Sequence, residues 1–155
     1  MIEEIYDFTK LFGANLSLDE DPVLKKRDRY FFIDNALEKL PGNFVYAGVF
    51  LGKTVKSKFS PGFELLRMIA GTEANRVVVD GRTEWLFVCG RDIFKQGIIR
   101  ILGSGRKGDH VLVMNDHLEC LGYGIIVVDL DKVQRGLAVQ NILDVGDFLR
   151  REEEE

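Results

Sequence analysis

The chain is 155 residues long, 46% hydrophobic and 30% charged, enough to bury one large core or two small ones. Its formal net charge of −4 excludes bulk electrostatic attraction to nucleic acid. Residues 1–70 hold ten acidic and ten basic side chains and residues 71–151 hold eleven of each, so the whole deficit is Glu152–Glu155 and the body is neutral.

From the N-terminus, Ile2, Ile5, Tyr6, Phe8, Thr9 and Phe12 fall close to one helical stripe, with Gly13 as the stop. Leu16–Leu24 is poorly patterned and reads as a loop or an edge strand. The run Lys25-Lys26-Arg27-Asp28-Arg29, followed by Tyr30-Phe31-Phe32-Ile33, predicts a hairpin turning at Asp28. Its basic residues are either a solvated tip or a contact for RNA phosphates. Asp34 or Asn35 caps a predicted helix through Leu37–Leu40, which Pro41-Gly42 ends. Phe44–Leu51 reads as a strand, and Gly52 opens a turn into Thr54–Phe59. There Lys56 and Lys58 alternate with Val55, Ser57 and Phe59, next to Lys53. The two ammonium groups would stand about 7 Å apart on one face, either a basic surface or an ordinary wet one. Ser60-Pro61-Gly62-Phe63-Glu64 predicts a helix capped by Ser60, with Pro61 at its first position, ending at Gly71. Thr72–Asn75 is the candidate linker, separating a domain of residues 1–71 from one of residues 72–151.

The second domain is a series of short apolar runs, Val77–Val79, Glu84–Val88, Ile98–Leu102, Val111–Met114 and Ile125–Val128, separated by glycine turns. Such strands describe a small curled barrel. Only Arg91–Gln96 is long enough there for a helical turn or two. Trp85 and Phe87 share a parity on the predicted strand, for the core or a domain interface, or for stacking on RNA bases. Leu137–Gln140 and Ile142–Leu149 supply the last barrel strand, and Arg150-Arg151 close the ordered chain.

Nothing in this pattern asks for catalysis. Cys89 and Cys120 lie in or beside apolar runs and read as buried free thiols, the alternatives being a disulfide or a redox role. With His110 and His117 they make no metal-ligand spacing. No serine sits in a GxSxG elbow. The loop Gly103-Ser104-Gly105-Arg106-Lys107-Gly108 departs from the phosphate loop GxxxxGK[ST], and a strand rather than a helix follows it. Asp80, Asp92, Asp109 and Asp116 stand where caps and turns use aspartate as an acceptor. No cofactor, metal or catalytic residue is expected. No apolar run reaches about 18 residues, and Glu3-Glu4 opens no secretory signal. A soluble cytoplasmic protein without membrane contact is expected.

VVVD (Val77–Asp80), GRDIFKQGI (Gly90–Ile98), GDHVLV (Gly108–Val113) and GYGII (Gly122–Ile126), in that order, resemble the PUA domain, an RNA-binding pseudo-barrel. KFSPGFELLRMIAG before them and ILDVGDFLRREE after them extend the resemblance to the large-ribosomal-subunit biogenesis factors that carry a C-terminal PUA domain. The compact members of that family are archaeal. The resemblance implies an α/β (α+β) N-terminal domain followed by a PUA-type β pseudo-barrel. It also implies a noncatalytic role with rRNA or pre-rRNA, in single-stranded or irregular regions, among ribosome assembly proteins. A monomer in isolation is expected. The matching motifs place Arg91, Lys95, Gly97 and Ile98, with Arg150 and Arg151 of the terminal strand, on the RNA surface. Lys53, Lys56, Lys58, Arg82, Arg100, Arg106 and Lys107 are further basic candidates, read from the residues themselves. The run Glu152–Glu155 departs from a basic ending; it either mimics phosphate against those arginines or swings away. Two other readings stand beside this one: an adaptor for protein partners, and an RNA-modification enzyme, for which residues 1–70 supply no catalytic constellation.

Overall fold

In the computed structural model, which describes residues 2–18, 23–33 and 48–152, the N-terminal apolar stripe forms helix α1 (Glu3–Lys10). Its Ile5, Phe8 and Thr9 are buried, and Glu3 and Glu4 occupy the first turn, where the helix dipole favours carboxylates. Glu4 accepts hydrogen bonds from the hydroxyls of Tyr30 (2.7 Å) and Thr54 (2.6 Å). Those two bonds tie α1 to a four-stranded antiparallel sheet, β1 (Val23–Lys26), β2 (Arg29–Phe32), β3 (Val49–Val55) and β4 (Lys58–Pro61), in that spatial order. The β1–β2 hairpin turns at Arg27-Asp28, as predicted. The predicted helix over Leu37–Leu40 with its Asp34 or Asn35 cap, and the first residues of the Phe44–Leu51 strand, lie outside the described residues.

Three expectations in this half are corrected. Thr54–Phe59 is not one strand presenting Lys56 and Lys58 on a shared face. The chain reverses at Lys56-Ser57, both in the left-handed region (φ 49° and 64°), the geometry that matches a two-residue turn to strand twist. Gly52 opens no turn but sits inside β3 opposite Pro61, where a Cβ would lie 2.5 Å from the Phe59 ring. Ser60 and Pro61 do not start the helix; they finish β4, and Gly62 caps helix α2 (Phe63–Ala70). A proline at the end of an edge strand forfeits no ladder bond.

Beyond α2 the chain builds a six-stranded sheet from β5 (Arg76–Val79), β6 (Ile93–Phe94), β7 (Ile98–Leu102), β8 (His110–Met114), β9 (Cys120–Ile126) and β10 (Leu137–Asp144). The spatial order is β6-β10-β9-β8-β5-β7, antiparallel except for β5 with β8. An α/β N-terminal region is thus followed by a curled half-barrel sheet of the PUA type. Glu84–Val88 is not a strand. It belongs to helix α3 (Gly81–Val88), capped by Asp80, whose side chain accepts from the Thr83 N–H at 2.8 Å. Phe87 is consequently buried while Trp85 is 67% exposed. Arg91–Gln96 is not helical as a whole: it holds the two residues of β6 and enters a 3-10 turn over Lys95–Gly97. Ile142–Leu149 is a strand only in part: Ile142–Asp144 complete β10, and from Val145 the chain is helix α4 (Val145–Glu152). Cys89 is exposed at the end of α3 rather than buried, and Cys120 is partly buried; both are free thiols.

The sheet is covered on both faces, which is why β5 and β8 are rich in β-branched residues. Val77, Val79, Val111 and Val113 face a core that contains Phe87, Ile93, Ile126 and Val139. Val78, Leu112 and Met114 point the other way, into a cluster with Ile5, Phe8 and Phe12 of the N-terminal segment and Leu65, Leu66 and Ile69 of α2. That cluster spans the 71–75 segment, so the N-terminal layer packs directly on the six-stranded sheet.

Candidate nucleic-acid interface

Helix α3 and the turn after β6 approach each other because of one glycine. Gly97 is buried, and a Cβ there would lie 2.0 Å from Thr83 Oγ1; its carbonyl also accepts from the Asp80 N–H at 3.0 Å. Only a residue without a side chain lets the 3-10 turn lie this close to the helix. A cleft of about 380 Å³ opens where they meet, lined by Arg82, Thr83, Leu86, Phe94, Gln96 and Gly97 together with Asp80 and Asp92. Arg82 and Leu86 lie one turn apart on the same side of α3. Phe94 is half exposed although it belongs to a strand.

The polar groups around this cleft are partly committed. Asp80 is held below the usual carboxylate range, first by the Thr83 N–H and then by the Thr83 hydroxyl. One oxygen of Asp92 accepts from the Asn141 N–H at 2.9 Å. Gln96 Oε1 accepts from the Gly136 N–H at 3.1 Å, which leaves its amide nitrogen for a ligand. Lys95 is half-buried and donates to the Val133 carbonyl at 3.3 Å. Arg82 and Arg91 are exposed.

The last described residues form helix α4, so Arg150 and Arg151 do not sit on a strand as predicted. α4 nevertheless packs against α3. Arg150 donates to the Val88 carbonyl at 3.2 Å and pairs at 3.4 Å with Asp144. Asp144 is buried and also accepts from Asn141 Nδ2 and the Asp147 N–H. Arg150 is therefore brought beside the α3–β6 loop that carries Arg91, and its guanidinium holds α4 in place. Arg151 falls within α4, and its side chain lies outside the described residues.

The other basic candidates separate. Lys53, Lys56 and Lys58 belong to the four-stranded sheet and its β3–β4 turn. Ile98 starts β7, and Arg100 stands further along it, opening onto a different cleft beside Arg67 and Arg76. Arg106 and Lys107 are exposed on the 103–109 loop, where the Lys107 N–H donates to Asp129. Sequence reasoning missed Leu86, Phe94 and Gln96 as lining residues. The signal for Leu86 was Asp80 as a helix cap, which puts Arg82 and Leu86 on one stripe. Among the described residues no group of three or more His, Cys, Asp or Glu is placed to hold a metal ion. No described helix is long and apolar enough to cross a membrane.

Comparison with known proteins agrees with this architecture. A structure of a conserved PUA domain protein from Thermoplasma acidophilum superposes with a TM-score of 0.62 at 22% identity, covering 97% of this chain and 92% of that one. A hypothetical protein from Pyrococcus horikoshii gives a TM-score of 0.60 at 18% identity with the same coverage. In sequence, a UPF0113 protein of Archaeoglobus fulgidus is 32% identical over 111 residues, a match that spans 69% of this chain and 63% of the relative. The family model described as the UPF0113 PUA domain matches residues 75–153, and the chain belongs to that family.

Proposed function

We propose that this protein is a noncatalytic RNA-binding factor acting in large-ribosomal-subunit biogenesis and pre-rRNA processing. The observation that carries the reading is the α3–β6 cleft, where an exposed aromatic, the amide nitrogen of Gln96 and an arginine meet at a glycine-tight turn. Exposed bases of single-stranded or irregular RNA suit such a site better than a duplex, whose base edges are out of reach. Phe94 offers a stacking face, and Gln96 offers donors to a base edge. Asp80 and Asp92, which also line the cleft, disfavour a phosphate inside it. The backbone then runs outside it, along Arg82 and Arg91, with Lys95 and Arg150 adjoining. Phosphate contacts position the RNA, and the cleft reads the base.

The two roles separate in a salt titration with single-stranded rRNA fragments. Replacing Arg82 and Arg91 together by alanine weakens binding and flattens the log–log salt slope by about 1.4, two contacts at about 0.7 each. Phe94→Ala lowers affinity by about 1–3 kcal/mol and leaves the slope unchanged. Binding that neither change moves would reject this site assignment, and no binding of the fragments by the unaltered protein would favour the adaptor for protein partners. Arg150 is a poorer probe, because its removal also exposes the buried Asp144 to the loss of its cation.

A further inference from the structure

The described strands and turns of the four-stranded sheet, residues 23–32 and 49–61, hold seven basic side chains and one acidic one. In a chain whose formal charge is −4, that is a concentrated positive region. The register gathers it at one end. β1, β2, β3 and β4 are antiparallel neighbours in chain order, so the β1–β2 and β3–β4 turns lie at the same end of the sheet. Arg29, the first residue of β2, stands opposite Lys53 of β3. Beside that pair the Thr54 N–H donates to the Asp28 carbonyl at 2.7 Å, joining the two hairpins next to their turns. Two basic runs far apart in sequence thus form one cationic end, about 14 Å across at about 4.8 Å per strand.

Arg27, Lys56 and Lys58 are exposed there and Lys53 is half-buried. None of the four has an ion-pair partner among the described residues. Lys25 is committed to the sheet, its ammonium 5.2 Å from the centroid of the Tyr30 ring, and Lys26 and Arg29 make contacts of their own. The one acid of these strands and turns, Asp28, is exposed beside Arg27. Arg27 and Lys56 have left-handed backbones, with φ 59° and 49°, where glycine, asparagine and aspartate are the less strained choices. Long cations at both positions cost backbone strain that no ion pair among the described residues offsets, and strain of this kind points to a functional use.

We infer that this end of the sheet is a second contact for RNA, holding the sugar–phosphate backbone through Arg27, Lys53, Lys56 and Lys58 without reading bases. The inference rests on the RNA-binding reading above for its partner but uses none of the residues of the α3–β6 cleft. No ring here is offered to a base: Tyr30 is buried, and Phe59 is half-buried against Phe8 and Tyr30. Charges on flexible stems hold phosphates whatever the sequence. The cleft supplies selectivity and the sheet end supplies sequence-independent affinity. An acidic protein segment and an anionic membrane fit less well. Protein interfaces are poor in lysine and centre on apolar anchors, and stable membrane attachment takes an inserted apolar group besides basic charge. Val55, 44% exposed, is the one large apolar side chain exposed at this end among the described residues.

The test compares the full chain with a neutralised variant carrying Arg27→Asn, Lys56→Asn and Lys58→Gln, since asparagine tolerates the left-handed backbone of the two turns. A second variant, Arg27→Lys with Lys56→Arg and Lys58→Arg, keeps the charges. The probes are a single-stranded rRNA fragment and an oligouridine of the same length, each titrated with salt. Loss of three phosphate contacts is expected to flatten the log–log salt slope by about 2.1, at about 0.7 each. Over a fourfold rise in salt, the affinity of the unaltered protein then falls about twentyfold further than that of the neutralised variant. The change is expected to be equal for both probes, and the charge-keeping variant is expected to retain the original slope. An unchanged slope in the neutralised variant, while replacing Arg82 and Arg91 still flattens it, overturns the second contact and leaves the cleft standing. The converse result supports the sheet end and rejects the cleft. A loss shared by the charge-keeping variant is a loss of fold and overturns the proposal. Tighter binding of polyglutamate or phosphatidylserine vesicles than of RNA, abolished in the neutralised variant, assigns the sheet end to a protein or a membrane and also overturns it.

Discussion

At the scale of single residues, two side chains show how local chemistry sets the fold. Gly97 has no room for a methyl group, since Thr83 Oγ1 occupies the place where it would go. Gly97→Ala is expected to destabilise the protein by about 1–3 kcal/mol, the usual range for overpacking. Adding Thr83→Ala should recover part of that loss, because the closest atom leaves with the hydroxyl. Denaturant unfolding of the two single variants and the double variant measures the coupling. Glu4 is a different case, a carboxylate held below its ordinary range first by the Thr54 hydroxyl and then by the Tyr30 hydroxyl. A depressed folded-state pKa contributes stability that is complete above the unfolded value and disappears as the pH falls through the folded one. Glu4→Gln is therefore expected to lower stability at neutral pH, with a difference from wild type that shrinks on acidification. An equal difference at every pH would show that the hydroxyl bonds do not depend on the charge.

At the scale of elements, α3 decides how much of the site could be read in advance. The strands β5, β7 and β8 are legible in the sequence because their β-branched and aliphatic runs leave no other reading. The segment Glu84–Val88 is as apolar as a strand, and five residues cannot separate a period of two from one of 3.6. Asp80-Gly81 looked like a turn, and the distinction lay in Asp80 serving as a cap for the Thr83 N–H. With α3 taken as a strand, Trp85 and Phe87 shared a face; as a helix it buries one and exposes the other. Arg91, Lys95 and Arg150 were found by resemblance and Arg82 from its own charge, whereas Phe94 and Gln96 needed the geometry of the turn. The reversal at Lys56-Ser57 was hidden for a related reason, since neither residue is the glycine or asparagine that usually marks left-handed turns. Asp80→Ala tests the reassigned element. It should cost about 1 kcal/mol at neutral pH, the ordinary worth of a helix cap. Because the Asp80 pKa is lowered by folding, that cost should fade as the pH drops through it.

At the scale of the whole molecule, the question is whether the N-terminal layer and the PUA sheet are separable at residues 71–75. The packing argues for a shared core. Phe12 is fully buried and meets Tyr123 of β9 edge-on, with ring centroids 5.5 Å apart, and His110 of β8 at 5.6 Å. Burial displaces the titration of both rings, the His110 imidazole downward and the Tyr123 phenol up to about 12. Asn75 adds a backbone bridge, donating its N–H to the Phe12 carbonyl at 2.8 Å and accepting from the Leu112 N–H at 2.9 Å. Phe12→Ala removes a ring from this junction and is expected to cost about 3–5 kcal/mol. If the layers unfold together, amide exchange in β8 and β9 accelerates by the same free energy as exchange in α1. If the 71–75 segment divides two independent domains, the loss stays in α1 and the four-stranded sheet, and the sheet beside the α3–β6 cleft keeps its protection. The aromatic contacts favour the first outcome, because a cavity at Phe12 opens on Tyr123 and His110 as much as on Phe8.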